Sequence, residues 1–227
     1  MGQKYSAFPS RSMIFLHVLP VTRKQRRLYL LQSHIKMNKV AYIIPGFTES
    51  NKQLPYKKIA GYFKSRNIRP IPVDIDWRYR TLSDYIEQFL KIYKRNEKDE
   101  VYLLGFSLGA MISFIMSTKI KPKAQILCSL SPFFNEDLQY MKRYYKIAGK
   151  RRLEDYKNYS FDELSKKITA KTTILVGDKE IKECLTKAKD THEKVKNSKL
   201  IIIKNAKHVI AQKEYQETLE SIISKLN

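Results

Sequence analysis

The sequence predicts an α/β protein, a three-layer α/β/α sandwich around a mainly parallel sheet, and three observations carry that expectation. From Val40 onward, short apolar runs alternate with stretches whose apolar residues recur at helical spacing, the pattern of βα units laid side by side. The runs are continuously apolar, as in strands covered on both faces. At 227 residues the chain is long enough to form one domain that buries its own core.

The elements follow in order. Residues 1–37 precede the rhythm and read as a basic extension, either a tail or an antiparallel hairpin built from residues 13–19 and 28–35, with the tail favoured. The domain is expected over 38–227. Its strands are placed at 40–44, 71–75, 101–104, 124–128, 173–176 and 200–203. Between them, Tyr56, Ile59, Ala60 and Phe63 form one apolar stripe, and Leu82, Tyr85, Ile86, Phe89 and Tyr93 a second. Tyr215, Leu219, Ile222, Ile223 and Leu226 form the last. The aromatic members of these stripes read as core packing. Residues 131–170 break the rhythm with Ser131-Pro132-Phe133-Phe134, several tyrosines and a possible short helix over 161–168, and read as a short cap-like excursion.

Composition narrows the function classes. The balance of 44 Lys+Arg against 22 Asp+Glu gives a net charge of +22, which raises nucleic acid or an anionic surface as partners. Residues 1–36 hold seven bases and no acid, but elsewhere lysines alternate with acids, as at Lys182-Glu183 and Lys189-Asp190. That is how a solvated face looks, so no specific nucleic-acid partner is expected. Cys128 and Cys184 form no metal-type pair, which points to a reduced, cytoplasmic setting. No apolar run approaches the roughly 20 residues of a membrane span. Met1-Gly2 with Ser6 fits a loose myristoylation pattern, and the basic start is like that of a transit peptide, but both patterns are too short to be specific.

The chemistry centres on Gly105-Phe106-Ser107-Leu108-Gly109, which lies between the apolar run 101–104 and the apolar stretch 110–116. A serine on a sharp strand-to-helix turn presents its hydroxyl to a base at the sheet edge. With this motif in this context, the chain resembles the α/β-hydrolase superfamily. The resemblance implies serine hydrolase chemistry on a carboxylic ester or thioester through an acyl-enzyme. Acyltransferase or peptidase chemistry on the same residues, or a catalytically silent binding protein, are the alternatives.

The superfamily's chain order of serine, acid and histidine makes Ser107 the nucleophile and His208 the base, while His192 reads as a surface residue in a lysine-rich helix. Two carboxylates follow the strand at 173–176. The family's spacing favours Glu180 as the acid and leaves Asp178 as the alternative, with Asp137 a distant third. The resemblance also implies an oxyanion hole from the backbone N–H groups of Phe47 and Leu108. Four of the seven glycines, Gly46, Gly105, Gly109 and Gly177, fall where that architecture needs a tight turn or close approach. Pro45 stands where many relatives carry histidine, and Lys207 where they carry glycine. A small-molecule acyl substrate is expected, with no metal or organic cofactor.

Overall fold

The computed structural model describes residues 38–94, 96, 98–140 and 148–226. The amino-terminal extension, whether tail or hairpin, lies outside them. Six strands, β1 (Lys39–Ile44), β2 (Arg69–Pro72), β3 (Glu100–Phe106), β4 (Ala124–Cys128), β5 (Lys171–Gly177) and β6 (Ser198–Ile203), form one sheet of order β2-β1-β3-β4-β5-β6. Every pairing is parallel.

Parallel neighbours need crossovers, and helices supply them. These are α1 (Leu54–Ser65), α2 (Leu82–Ile92), α3 (Leu108–Ile120), α4 (Lys150–Tyr156), α5 (Phe161–Lys167), α6 (Lys182–Lys194) and α7 (Lys213–Ile223). Pro55 opens α1 at a position where the missing N–H costs nothing. A capping box fixes the start of α2, with the Thr81 N–H donating to Asp84 Oδ2 at 2.7 Å.

Alternate residues of β1 divide the core into two clusters. Val40, Tyr42 and Ile44 face α2, α3, α5 and α6, whereas Ala41 and Ile43 face α1 and α7. Helix α3 is buried on nearly every side, which explains its almost wholly apolar sequence.

Strand β2 sits two residues earlier than the apolar run suggests, at 69–72 instead of 71–75. Ile71 and Val73 face β1, with the Val73 N–H donating to Ile43 O at 2.9 Å. Pro70 and Pro72 take the alternate positions, where an N–H would point away from the sheet, so this strand is suited to an edge. Val73 keeps that one backbone bond past the end of the strand, and Val73 and Ile75 both stay buried. Their apolarity reports burial beyond the strand's end.

The excursion after β4 contains a 3-10 segment (Asn135–Tyr140), α4 and α5. Among the described residues, no helix is long and apolar enough to cross a membrane.

Candidate active site

Strand β3 delivers Ser107 into a turn that ordinary L-residues avoid, with φ 55° and ψ −119°. The turn is held at both ends. The Ser107 N–H donates to Cys128 O on β4 at 2.8 Å, and Ser107 O accepts from the Ala110 N–H at 3.0 Å. A Cβ on Gly105 would lie 2.2 Å from Gly109 O, and one on Gly109 would lie 2.2 Å from Pro45 O. Strand, helix and the loop after β1 therefore touch backbone to backbone, and glycine is the residue that permits it.

Ser107 Oγ lies 2.9 Å from His208 Nε2, and His208 Nδ1 lies 2.7 Å from Glu180 Oε2. His208 comes from the loop after β6 and Glu180 from the turn after β5, so three strand ends converge on one relay. Phe106 packs beside the imidazole at 5.0 Å between ring centres. The His208 side chain is 39 % exposed, whereas that of Glu180 is fully buried.

A buried carboxylate is costly to keep ionised unless donors surround it. Glu180 has them: Oε1 accepts from Ser129 Oγ at 2.6 Å, Tyr215 OH at 2.7 Å and the Gly177 N–H at 2.8 Å. Burial pushes the Glu180 carboxyl up. The hydrogen bonds from His208, Ser129, Gly177 and Tyr215 outweigh that push and hold it below the ordinary glutamate value. Burial, with Glu180 nearby, pushes the Tyr215 hydroxyl far up, so it stays a donor.

The other carboxylates go elsewhere. The Asp178 N–H donates to Ile203 O at 3.0 Å, and its Oδ1 is buried without a hydrogen-bond partner among the described residues. Asp137 pairs with Lys187 at 2.7 Å and accepts from the Phe134 N–H. Burial pushes its carboxyl up despite Lys187 and that N–H. His192 is exposed and meets Ser198 Oγ at 3.0 Å.

The loop after β1 is braced from below. The Gly46 N–H donates to Glu49 Oε2 at 3.1 Å and to Tyr56 OH at 3.0 Å, and Tyr56 OH donates in turn to Glu49. Trp77 Nε1 donates to Glu49 O at 3.2 Å, and the Phe47 ring stands edge-on to Trp77. No hydrogen bond among the described residues uses the N–H of Phe47 or Leu108.

A cavity of about 200 Å³ opens beside Ser107, walled by Phe47, Leu108, Phe133 and Tyr156 with Ser131 and Arg152. Ser131 Oγ lies 3.3 Å from Ser107 Oγ. A larger hollow of about 330 Å³, bordered by Pro132, Asp137 and Lys187, holds none of the relay. Position alone argues for the smaller one. In parallel α/β sheets, ligands bind beyond the carboxyl ends of the strands. Thr48, Ser107, Ser129 and Asn205, all at positive φ, line up at that edge.

Glu180, Cys184 and His208 could in principle offer three donors to a metal ion, since their ligand atoms lie within 4.8 Å of one another. The chemistry of the set argues against it. Glu180 and His208 are already bonded to each other, and burial, with Glu180 adding, pushes the Cys184 thiol up to about 12, so it is protonated at neutral pH.

Sequence reasoning did not single out Ser129, Ser131 or Tyr215. Tyr215 carried a signal, as an aromatic on a stripe that also needs a partner for its hydroxyl.

No protein-family model and no curated protein sequence matches the chain. Solved structures do. Est1E from Butyrivibrio proteoclasticus superimposes with a TM-score of 0.71 at 15 % identity, over 86 % of this chain and 88 % of that one. Mouse alpha/beta hydrolase domain-containing protein 10 gives 0.68 at 14 % identity, over 81 % and 87 %. The Pyrococcus furiosus esterase Pf2001 gives 0.59 at 16 % identity, over 84 % of each. Six parallel strands in the order found here, flanked by helices, with these structural relatives, establish that the chain has the α/β-hydrolase fold.

Proposed function

We infer that this protein is a serine hydrolase that cleaves a carboxylic ester or thioester through an acyl-enzyme. The observation that carries this reading is the unbroken relay from Ser107 Oγ through His208 to the buried Glu180 carboxylate. Being named as esterases or hydrolases, the structural relatives lend support. A silent binding protein has no need of a strained serine in contact with an imidazole.

In this mechanism Ser107 attacks the acyl carbonyl while His208 Nε2 takes its proton. Glu180 stays ionised, fixes the tautomer with the proton on Nδ1 and stabilises the imidazolium that forms. The N–H groups of Phe47 and Leu108 receive the developing oxyanion, and Gly109 allows their two loops to come this close. His208 next gives the proton to the leaving alcohol or thiol. It then takes a proton from water, which attacks the acyl-enzyme, and returns that proton to Ser107 Oγ as the acyl C–O bond breaks and the acid leaves.

Hydrolysis of 4-nitrophenyl butyrate by the wild type, His208→Ala and Ser107→Ala tests the reading. Both variants should lose turnover by factors on the order of 10⁴ to 10⁶ while keeping the wild-type melting transition. Comparable turnover by all three would overturn it.

A further inference from the structure

The cavity beside Ser107 is apolar except at a few points, and one of them is a cation. Arg152, on α4, is half-buried and lies against the Phe47 ring at 5.1 Å from its centre. Its Nε donates to Arg80 O at 2.8 Å and its Nη2 to Trp77 O at 3.0 Å. Tyr85 OH donates to the same two carbonyls, at 3.0 and 2.9 Å. These bonds use one edge of the guanidinium and fix its plane. The tip of the guanidinium, with one N–H each from Nη1 and Nη2, is a second edge that can grip a carboxylate through two parallel hydrogen bonds.

No carboxylate among the described residues pairs with Arg152. The acids nearby in the fold are engaged elsewhere: Asp76 with Arg78, Asp84 with Thr81 and Arg151, and Asp155 with Ser83. A small-molecule site is typically an apolar cleft with a few placed polar groups that fix orientation. Here one of those groups is a preorganised arginine with its anion-binding edge unspent, in a chain of net charge +22 that draws anions toward it.

We propose that Arg152 is a specificity-determining residue and that the preferred substrates are esters carrying a carboxylate, which the free guanidinium edge binds while the ester carbonyl sits at Ser107. The proposal rests on the serine hydrolase reading. Phe47 contributes twice, its ring flanking the cation and its backbone N–H facing the reaction.

The test compares matched ester pairs. On the acyl side these are 4-nitrophenyl hexanoate and the 4-nitrophenyl half-ester of adipic acid, which differ in a terminal methyl against a carboxylate. On the alcohol side they are phenyl butyrate and the butyrate ester of 4-hydroxybenzoate. In the wild type, kcat/KM should favour the anionic member of at least one pair by about tenfold to a hundredfold, as a charge-assisted bond gives. Whichever pair shows the preference identifies the side on which the carboxylate lies. Arg152→Met should bring that ratio close to one, and Arg152→Lys, which keeps the charge but loses the fork, should leave it intermediate.

Arg151→Met removes the same charge one position away on an exposed side chain and should leave the ratio in place. Should Arg152→Met fold poorly, Arg152→Lys decides, since it keeps the charge and loses only the fork: an anionic preference undiminished in that variant would overturn the proposal. Neutral esters turned over with no anionic preference would overturn the proposal and leave the hydrolase reading standing. So would a preference that survives in folded Arg152→Met, because overall charge would then be its source. Loss of all ester turnover together with loss of fluorophosphonate labelling would instead sink the hydrolase reading itself.

Discussion

Tyr215, on the last helix, donates a buried 2.7 Å hydrogen bond to Oε1 of Glu180, the oxygen turned away from His208. The helix that closes one face of the sheet thus reaches through to the acid of the relay. Together with Ser129 and the Gly177 N–H, it keeps the carboxylate ionised at a site water does not reach.

Tyr215→Phe should therefore act through Glu180. Because the folded carboxyl lies below its ordinary value, it contributes stability that is present above the unfolded value and lost as pH falls through the folded one. Removing a donor raises the folded value and shrinks that contribution. Acid unfolding monitored by circular dichroism should begin at higher pH in Tyr215→Phe, with a loss of about 1–3 kcal/mol near neutrality. The acid limb of the kcat profile should move the same way. An unchanged acid midpoint would mean that the hydroxyl does nothing for the carboxylate.

The two carboxylates after β5 should separate cleanly in kinetics. Glu180→Gln keeps the shape but upsets the imidazole tautomer, and kcat should fall by on the order of 10⁴. Asp178→Asn, whose Oδ1 has no hydrogen-bond partner among the described residues, should stay within about threefold of wild type. The reverse order, read from steady-state turnover of a nitrophenyl ester, would put the orienting acid beside Gly177.

Two glycines should respond in opposite directions. Gly109→Ala forces a Cβ to 2.2 Å from a backbone oxygen, a clash that no rotamer relieves, and should cost at least about 1–3 kcal/mol by denaturant unfolding. Gly61→Ala, in the exposed middle of α1 with nothing within 4 Å of the added carbon, should stabilise by about 0.5–1 kcal/mol.

Lys187 and Asp137 form an ion pair with the lysine side chain only 4 % exposed and its Nζ 3.8 Å from the centre of the Phe161 ring. Asp137→Ala leaves that cation buried without its counter-charge and should cost about 3–5 kcal/mol, whereas Asp137→Leu with Lys187→Met should recover most of the loss. Equal melting temperatures for the single and double variants would show that the pair is not what the site depends on.

The positions of the strands and the layer structure were legible because a doubly covered parallel sheet writes continuous apolar runs into the sequence, whereas the order of the strands in the sheet was not. Nor were the limits of β2, since Val73 and Ile75 keep the pattern of burial past the strand's end. Motif and chain order pointed to Ser107 and His208, and the superfamily's spacing after Gly177 favoured Glu180 over Asp178; Ser107, His208 and Glu180 are the three side chains the fold brings together. What sequence could not supply was their meeting distance. Ser129 and Tyr215 lie far from Glu180 along the chain, and Tyr215 is set apart from the other members of its apolar helical stripe only by a hydroxyl that needs a partner, with nothing in the sequence to name that partner. Arg152 was equally silent, one base in a basic string, until the fold set it beside Ser107.

Intact-mass spectrometry after fluorophosphonate treatment, followed by peptide mapping, tests the central claim most directly. The account predicts one covalent adduct, mapped to Ser107 in the wild type and lost in a folded Ser107→Ala variant. An adduct that persists in Ser107→Ala, or an active esterase whose wild-type Ser107 stays unmodified, would contradict it.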